Sequence, residues 1–140
     1  MKENQDLVQL ILEGKESWNQ WRLEHPEMTP CLDRVNLHGA DLHDMDLSHM
    51  TFMGTDFNGA NLTGANLKLS DLLGAHLRGA DLRRADLSGA ILVGADLQDA
   101  NLSNANLHDV NLRSANMLGA QLQGARLDGA IMSNTFNARR

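Results

Sequence analysis

The side chains that could do chemistry fall into three groups. His38, His43 and His49 follow closely behind Cys31, the sole cysteine, and these are the residue types of metal sites and of thiol nucleophiles. Aspartates recur five apart at Asp41 and Asp46 and again at Asp81 and Asp86, the raw material for paired-carboxylate acid–base work. Arg78, Arg83 and Arg84 form a basic trio of the kind that holds a phosphate or an acidic partner. No Ser/His/Asp or Cys/His arrangement rises above chance. The glycines do not form a phosphate loop, because beyond Gly14 they follow a five-residue spacing and open no helix. Which of these groups can act depends on the elements that carry them.

The chain has 140 residues, enough for one domain or one repeat array with a short appendage. Twelve Lys and Arg against 18 Asp and Glu give a net charge of −6, which excludes a strongly basic nucleic-acid binder. A single cysteine excludes a disulfide-stapled scaffold and favours a reducing compartment, so a cytoplasmic location is expected. The apolar stretch Leu7–Leu12 is interrupted by Gln9 and is too short for a signal h-region or a membrane span.

From Val35 the chain repeats every five residues. With i as the central residue of each pentapeptide, the centres run from Leu37 to Met132 as 16 Leu, two Phe (Phe52, Phe57) and two Met, 20 in all. Position i−2 is Ala in 14 of the 20, i−1 is Asp or Asn in 14, and i+2 is Gly in 11. A period of five builds no apolar face on an α-helix, where each step rotates the side chain by about 140°. On a flat strand the same spacing throws successive centres onto opposite faces. A chain that bends after every pentapeptide removes both difficulties. Positions i−2 and i then point inward, i−1 points out, and glycine at i+2 supplies the turn.

Residues 35–134 resemble the pentapeptide-repeat family, whose pattern is A-(D/N)-L-x-x, with GADLR at 79–83 and GANLT at 59–63 as instances. The resemblance implies an all-β fold, a right-handed quadrilateral β-helix or β-solenoid. At four pentapeptides a turn it has about five coils of 20 residues, stacked at ~4.8 Å. The family serves as a surface scaffold for many partners, so the match specifies fold far better than function.

Three segments follow: an N-terminal helical cap and connector over 1–34, the solenoid over 35–134, and a tail over 135–140. Residues 5–24 read as one amphipathic helix, with Leu7, Leu10 or Ile11, Gly14, Trp18 and Trp21 on one face, ended by Pro26 and Pro30. A terminal helix on a repeat array is expected to cover the first open core layer. SWNQWRLEHPEM at 17–28 resembles leaders of bacterial, notably cyanobacterial, family members. No Lys/Arg run lines its polar face, so a membrane role is not expected. The other end has no comparable element, and a homodimer through the last coil, at Met132 and Phe136, is expected there.

With 20 residues to a coil, positions 20 apart stack in columns. The second side reads Asp41, Asn61, Asp81, Asn101, Gln121 at i−1 and the third reads Asp46, Asn66, Asp86, Asn106, Arg126, so that Asp never stacks on Asp. These are expected to be solvent-facing ladder residues, with asparagine hydrogen-bonding between carboxylates. The histidines fall on different sides and the surface is convex, so no metal, cofactor, catalytic residue or small-molecule substrate is expected. The fourth side departs from the pattern: Met53, Leu73 and Val93 at i+1, Ile91 at i−1 and Leu69 at the preceding corner should form one exposed apolar strip.

The expectation is a non-enzymatic rigid scaffold that presents side-chain columns to a protein partner, with no direct nucleic-acid or membrane contact. The family resemblance also offers a DNA-mimicking protein that binds DNA gyrase, of the quinolone-resistance type. The repeat region carries 6 basic and 11 acidic residues, which fits that alternative loosely. The alternation of Asp with Asn and the arginines at 78, 83 and 84 argue against it.

Overall fold

The computed structural model describes residues 4–135. The N-terminal segment forms two helices, α1 (Asn4–Glu13) and α2 (Lys15–Glu24), where the sequence predicts one. Gly14 is the reason: its φ of 124° lies outside helical space, and from there its carbonyl accepts the Trp18 N–H at 3.1 Å to begin α2. Trp18 stacks on Trp21 at 5.5 Å and Trp21 on His25 at 4.5 Å, so the apolar spacing read from the sequence does make one packed face.

From Cys31 onward the chain coils. Seventeen isolated parallel bridges, from Cys31↔Thr51 to Asn111↔Ile131, each join residues 20 apart in the sequence. Every bridged residue occupies an i−1 position, so a bridge falls every five residues and each turn of 20 has four sides. The ladder starts at Cys31, with Leu32 fully buried as a centre, so Pro30–Arg34 holds one more pentapeptide place ahead of Val35. Pairing stays at single bridges because each side offers only a few extended residues between corners.

Within the ladder, each side shares three backbone hydrogen bonds with the coil before it, accepting two and donating one. Leu62 N–H donates to Asp81 O at 2.7 Å, Gly64 N–H to Arg83 O at 3.0 Å, and Asp81 N–H to Ala60 O at 3.0 Å. A fourth bond, such as Ala65 N–H to Leu62 O at 3.1 Å, closes the corner within the chain. Every i+2 residue from Arg34 to Asn134 has φ between 56° and 76°. Ten of these are not glycine. The left-handed conformation costs about 1–2 kcal/mol for such a residue, and the ladder bonds on both flanks hold it there.

The core is a single stack. The centres from Leu32 to Leu122 are buried, and so are the i−2 residues between Met45 and Ala120. Phe52 and Phe57 meet edge to face at 5.1 Å. Leu7, Ile11, Trp18 and Trp21 of α1 and α2 belong to the same buried cluster. α2 lies against residues 44–48, where Trp18 Nε1 donates to Asp46 O at 2.8 Å and Arg22 Nη2 to Ser48 O at 2.9 Å. At the other end Ala125, Leu127, Ala130 and Met132 are only partly buried.

Candidate interaction face

The fourth side gathers apolar side chains because the coil period places them there. Met53, Leu73 and Val93 occupy successive coils, tied by Gly54 N–H to Leu73 O at 3.0 Å and Gly74 N–H to Val93 O at 2.9 Å. Ile91 lies two residues before Val93 and bridges to Asp71 and Asn111. Leu73 is 43% exposed and Ile91 38%, while Met53 and Val93 are half-buried. Asp71 sits in the same column as Ile91 and accepts the Leu73 N–H at 3.1 Å, so a carboxylate borders the apolar surface.

Leu69, 51% exposed, is placed differently from its four companions. It stands at a corner with φ 58°, and its Cδ2 lies 2.6 Å from where a side-chain carbon on Gly89 would be. The leucine therefore leans along the corner over the next coil. It also borders an open groove of about 340 Å³ on the third side, with Lys68, Ser88 and His108.

Two of the three basic residues are engaged locally. Arg78 Nε meets Asp96 Oδ2 at 3.1 Å, and Arg83 grips Asp81 with two bonds of 2.8 and 2.6 Å. That fork holds the Asp81 carboxyl below its usual range, against the opposing effect of burial. Arg84 is an exposed corner residue with φ 59°.

The i−1 Asp and Asn residues make the interstrand bond expected of them only in places: Asn61 Nδ2 donates to Asp41 Oδ1 and Asn116 Nδ2 to Asp96 Oδ1, each at 3.2 Å. Their commoner role is local. The Oδ1 accepts the N–H two residues on, as Asp86 does from Ser88 at 2.9 Å and Asn106 from His108 at 3.0 Å. This Asx turn explains why a short acceptor is favoured ahead of each corner.

His43 Nδ1 lies 2.6 Å from Asp41, His38 is 4.0 Å from Asp56, and His49 is an exposed corner residue. A cluster outside the sequence reading lies near the far end of the third side. His108 Nδ1 is 2.6 Å from Asp128 Oδ2 and its Nε2 is 3.1 Å from Asp109, while Arg126 Nε meets Asp128 Oδ1 at 2.7 Å. The signal was the spacing of 20 between His108 and Asp128. Cys31 is exposed. Among the described residues no three His, Cys, Asp or Glu side chains form a group that could hold a metal ion. Among the described residues no helix is long and apolar enough to cross a membrane. Met132 is half-buried, and Phe136 lies outside the described residues. Leu12, Leu23 and Leu118 are further exposed apolar residues. Nothing in the five-residue pattern signals the two on the helices.

The family model for pentapeptide repeats matches residues 31–68, 70–99 and 95–134, as eight copies. Among solved structures, the chain is similar to a pentapeptide repeat protein from the Arabidopsis thaliana thylakoid lumen at 42% identity and a TM-score of 0.65. That alignment covers 66% of this chain and 65% of that one, so the chain spans just under two thirds of its relative. A pentapeptide repeat protein from Nostoc PCC 7120 aligns at 27% identity and a TM-score of 0.50, over 81% of this chain and 93% of that one. Rfr23, a pentapeptide repeat protein from the cyanobacterium Cyanothece 51142, is 30% identical over 84% of this chain and 96% of its own, with a TM-score of 0.45. No curated protein matches the chain.

Proposed function

The chain belongs to the pentapeptide repeat family, and from that premise we propose that it is a non-enzymatic rigid scaffold whose fourth side docks a partner protein through Met53, Leu69, Leu73, Ile91 and Val93. The observation that carries this reading is the exposure of Leu73 and Ile91 on adjoining, bridged coils. Apolar side chains of that size held side by side on a stiff surface release ordered water when covered, and the ladder keeps the ordering cost of binding low.

The reading includes a right-handed β-helix of about five coils over residues 35–134, preceded by the pentapeptide place at 30–34, with the helical segment ahead of it as its cap and 135–140 as its tail. It also includes a homodimer through the last coil at Met132 and Phe136, and a bacterial source. We take the compartment to be the cytoplasm, supported by the unpaired Cys31. The Arabidopsis relative is a thylakoid-lumen protein, so cell fractionation decides this point.

The test is a pull-down from native lysate with the parent and Leu73→Asp side by side. Leu73 is exposed and its N–H is already capped by Asp71, so the variant folds as the parent does. A partner captured by the parent and lost with Leu73→Asp is the expected result. Identical capture by both proteins removes the fourth side from the reading, and gyrase among the shared bands would favour the DNA-mimicking alternative.

A further inference from the structure

α2 satisfies the edge it covers in the way a coil would. One layer further in, the third side receives Leu47 N–H on Asn66 O at 2.7 Å and His49 N–H on Lys68 O at 3.0 Å, and Asn66 N–H donates to Met45 O at 2.9 Å. Residues 44–48 stand in the same column with no coil before them. The three equivalent groups are met by side chains. Trp18 Nε1 donates to Asp46 O at 2.8 Å, Arg22 Nη2 donates to Ser48 O at 2.9 Å, and Asp46 N–H donates to Asn19 Oδ1 at 2.8 Å. Asn19 Nδ2 adds a bond to Asp44 O at 3.0 Å.

Arg22 makes its bond at a cost. It is buried, its Nε and Nη1 have no partner, and burial lowers its pKa while Asp46 pulls it back up. A helix held by its apolar face alone has no need of a buried guanidinium. The surface beneath α2 is thus an edge built to pair with a coil. The chain also carries the complement. The N–H groups of Leu122, Gly124, Leu127 and Gly129 and the carbonyls of Ala120 and Ala125 pair with nothing among the described residues.

We propose that α2 is an assembly stop: Trp18, Asn19 and Arg22 occupy an edge that fits the last coil of a second copy of this chain, and their release lets copies stack head to tail in place of pairing through their last coils. Such a contact is heterologous and does not close, so it grows into filaments. The inference rests on reading α1 and α2 as a cap, and its test separates the two.

The test uses the full chain carrying Trp18→Phe, Asn19→Ala and Arg22→Met, which keep good helix formers and an apolar packed face but remove the three edge bonds. First, exchange of the Asp46 amide should accelerate by about two- to tenfold, the worth of one ordinary hydrogen bond. Second, light scattering and electron microscopy should show concentration-dependent filaments with ~4.8 Å axial spacing, absent from the parent. Leu127→Arg in the same chain should suppress growth, because a charge in the last layer cannot be stacked upon. An unchanged Asp46 rate overturns the cap reading and the proposal with it. Faster exchange without filaments overturns the stacking alone, and so does aggregation that Leu127→Arg leaves untouched.

Discussion

Asp128 shows how side chains tune one another, first within a turn and then between coils. The Arg126 fork is the main cause, and with help from His108 it holds the carboxyl down at about 2, against an ordinary 3.8. A carboxyl with its folded pKa below its unfolded one contributes stability that is fully present above the unfolded value and is lost as pH falls toward the folded one. For Asp128 that window runs from 3.8 down to about 2. The group is fully exposed, so the effect is small and salt-sensitive. Arg126→Gln should raise the Asp128 pKa toward 3.8, read by carboxyl-carbon chemical shift against pH. A titration curve that does not move would take the fork out of the account. His108 and Asp128 were legible as a pair to anyone counting by 20. The hydrogen bonds that make the i−1 residues useful to their own corners were not, because outward columns suggest contacts between coils and say nothing of contacts within a turn.

At the scale of the corner, the sequence shows where turns fall and only partly how they pack. Glycine at i+2 reads as a turn residue, yet Gly79 and Gly119 are in different situations. Both have positive φ, 65° and 74°, so alanine at either is strained by about 1–2 kcal/mol. A side-chain carbon at Gly79 meets open space, whereas at Gly119 it runs into Asp99 Oδ1 from the coil above. Gly119→Ala should therefore be the more destabilising in urea unfolding, and Asp99→Gly in the same chain should recover the difference as a coupling of about 0.5–3 kcal/mol. Equal losses at the two glycines would mean the Asp99 side chain swings aside freely. Leu69 over Gly89 follows the same rule, which is why the column map put it with the fourth-side strip while the structure turns it along the corner. The helices were less legible still. Gly14 fits an apolar face by spacing yet breaks the helix by its backbone, and Arg22 reads as a solvent residue because nothing local signals the carbonyl of Ser48. The first pentapeptide was hidden too, since Pro30 and Cys31 stand where Ala and Asp or Asn are usual.

On the whole molecule, the ladder is one-dimensional: each coil touches only its neighbours, so stability is close to a sum of coil and interface terms. The fold was legible because every coil repeats the same physical choice, whereas a partner is met by departures from the repeat, and one chain offers few of them. The two ends differ. α2 supplies side-chain bonds to the first edge, and α1 and α2 together set Leu7, Ile11 and Trp18 against the core, while Leu127 and Met132 at the other end keep part of their surface in water. Fraying should therefore start at the C-terminal coil. Amide exchange should be slowest at interior centres such as Leu62 and Leu82, each bonded at 2.7 Å to the next coil, and faster at Arg126 and Ile131. Leu82→Ala, from a fully buried site, should cost about 2–5 kcal/mol, and Leu127→Ala distinctly less. If two copies meet at the last coil, protection at Arg126 and Ile131 should rise with protein concentration while that at Leu62 stays fixed. Protection that instead falls away from the N-terminal coil would place the weak end under α2 and leave the side-chain bonds there without energetic weight.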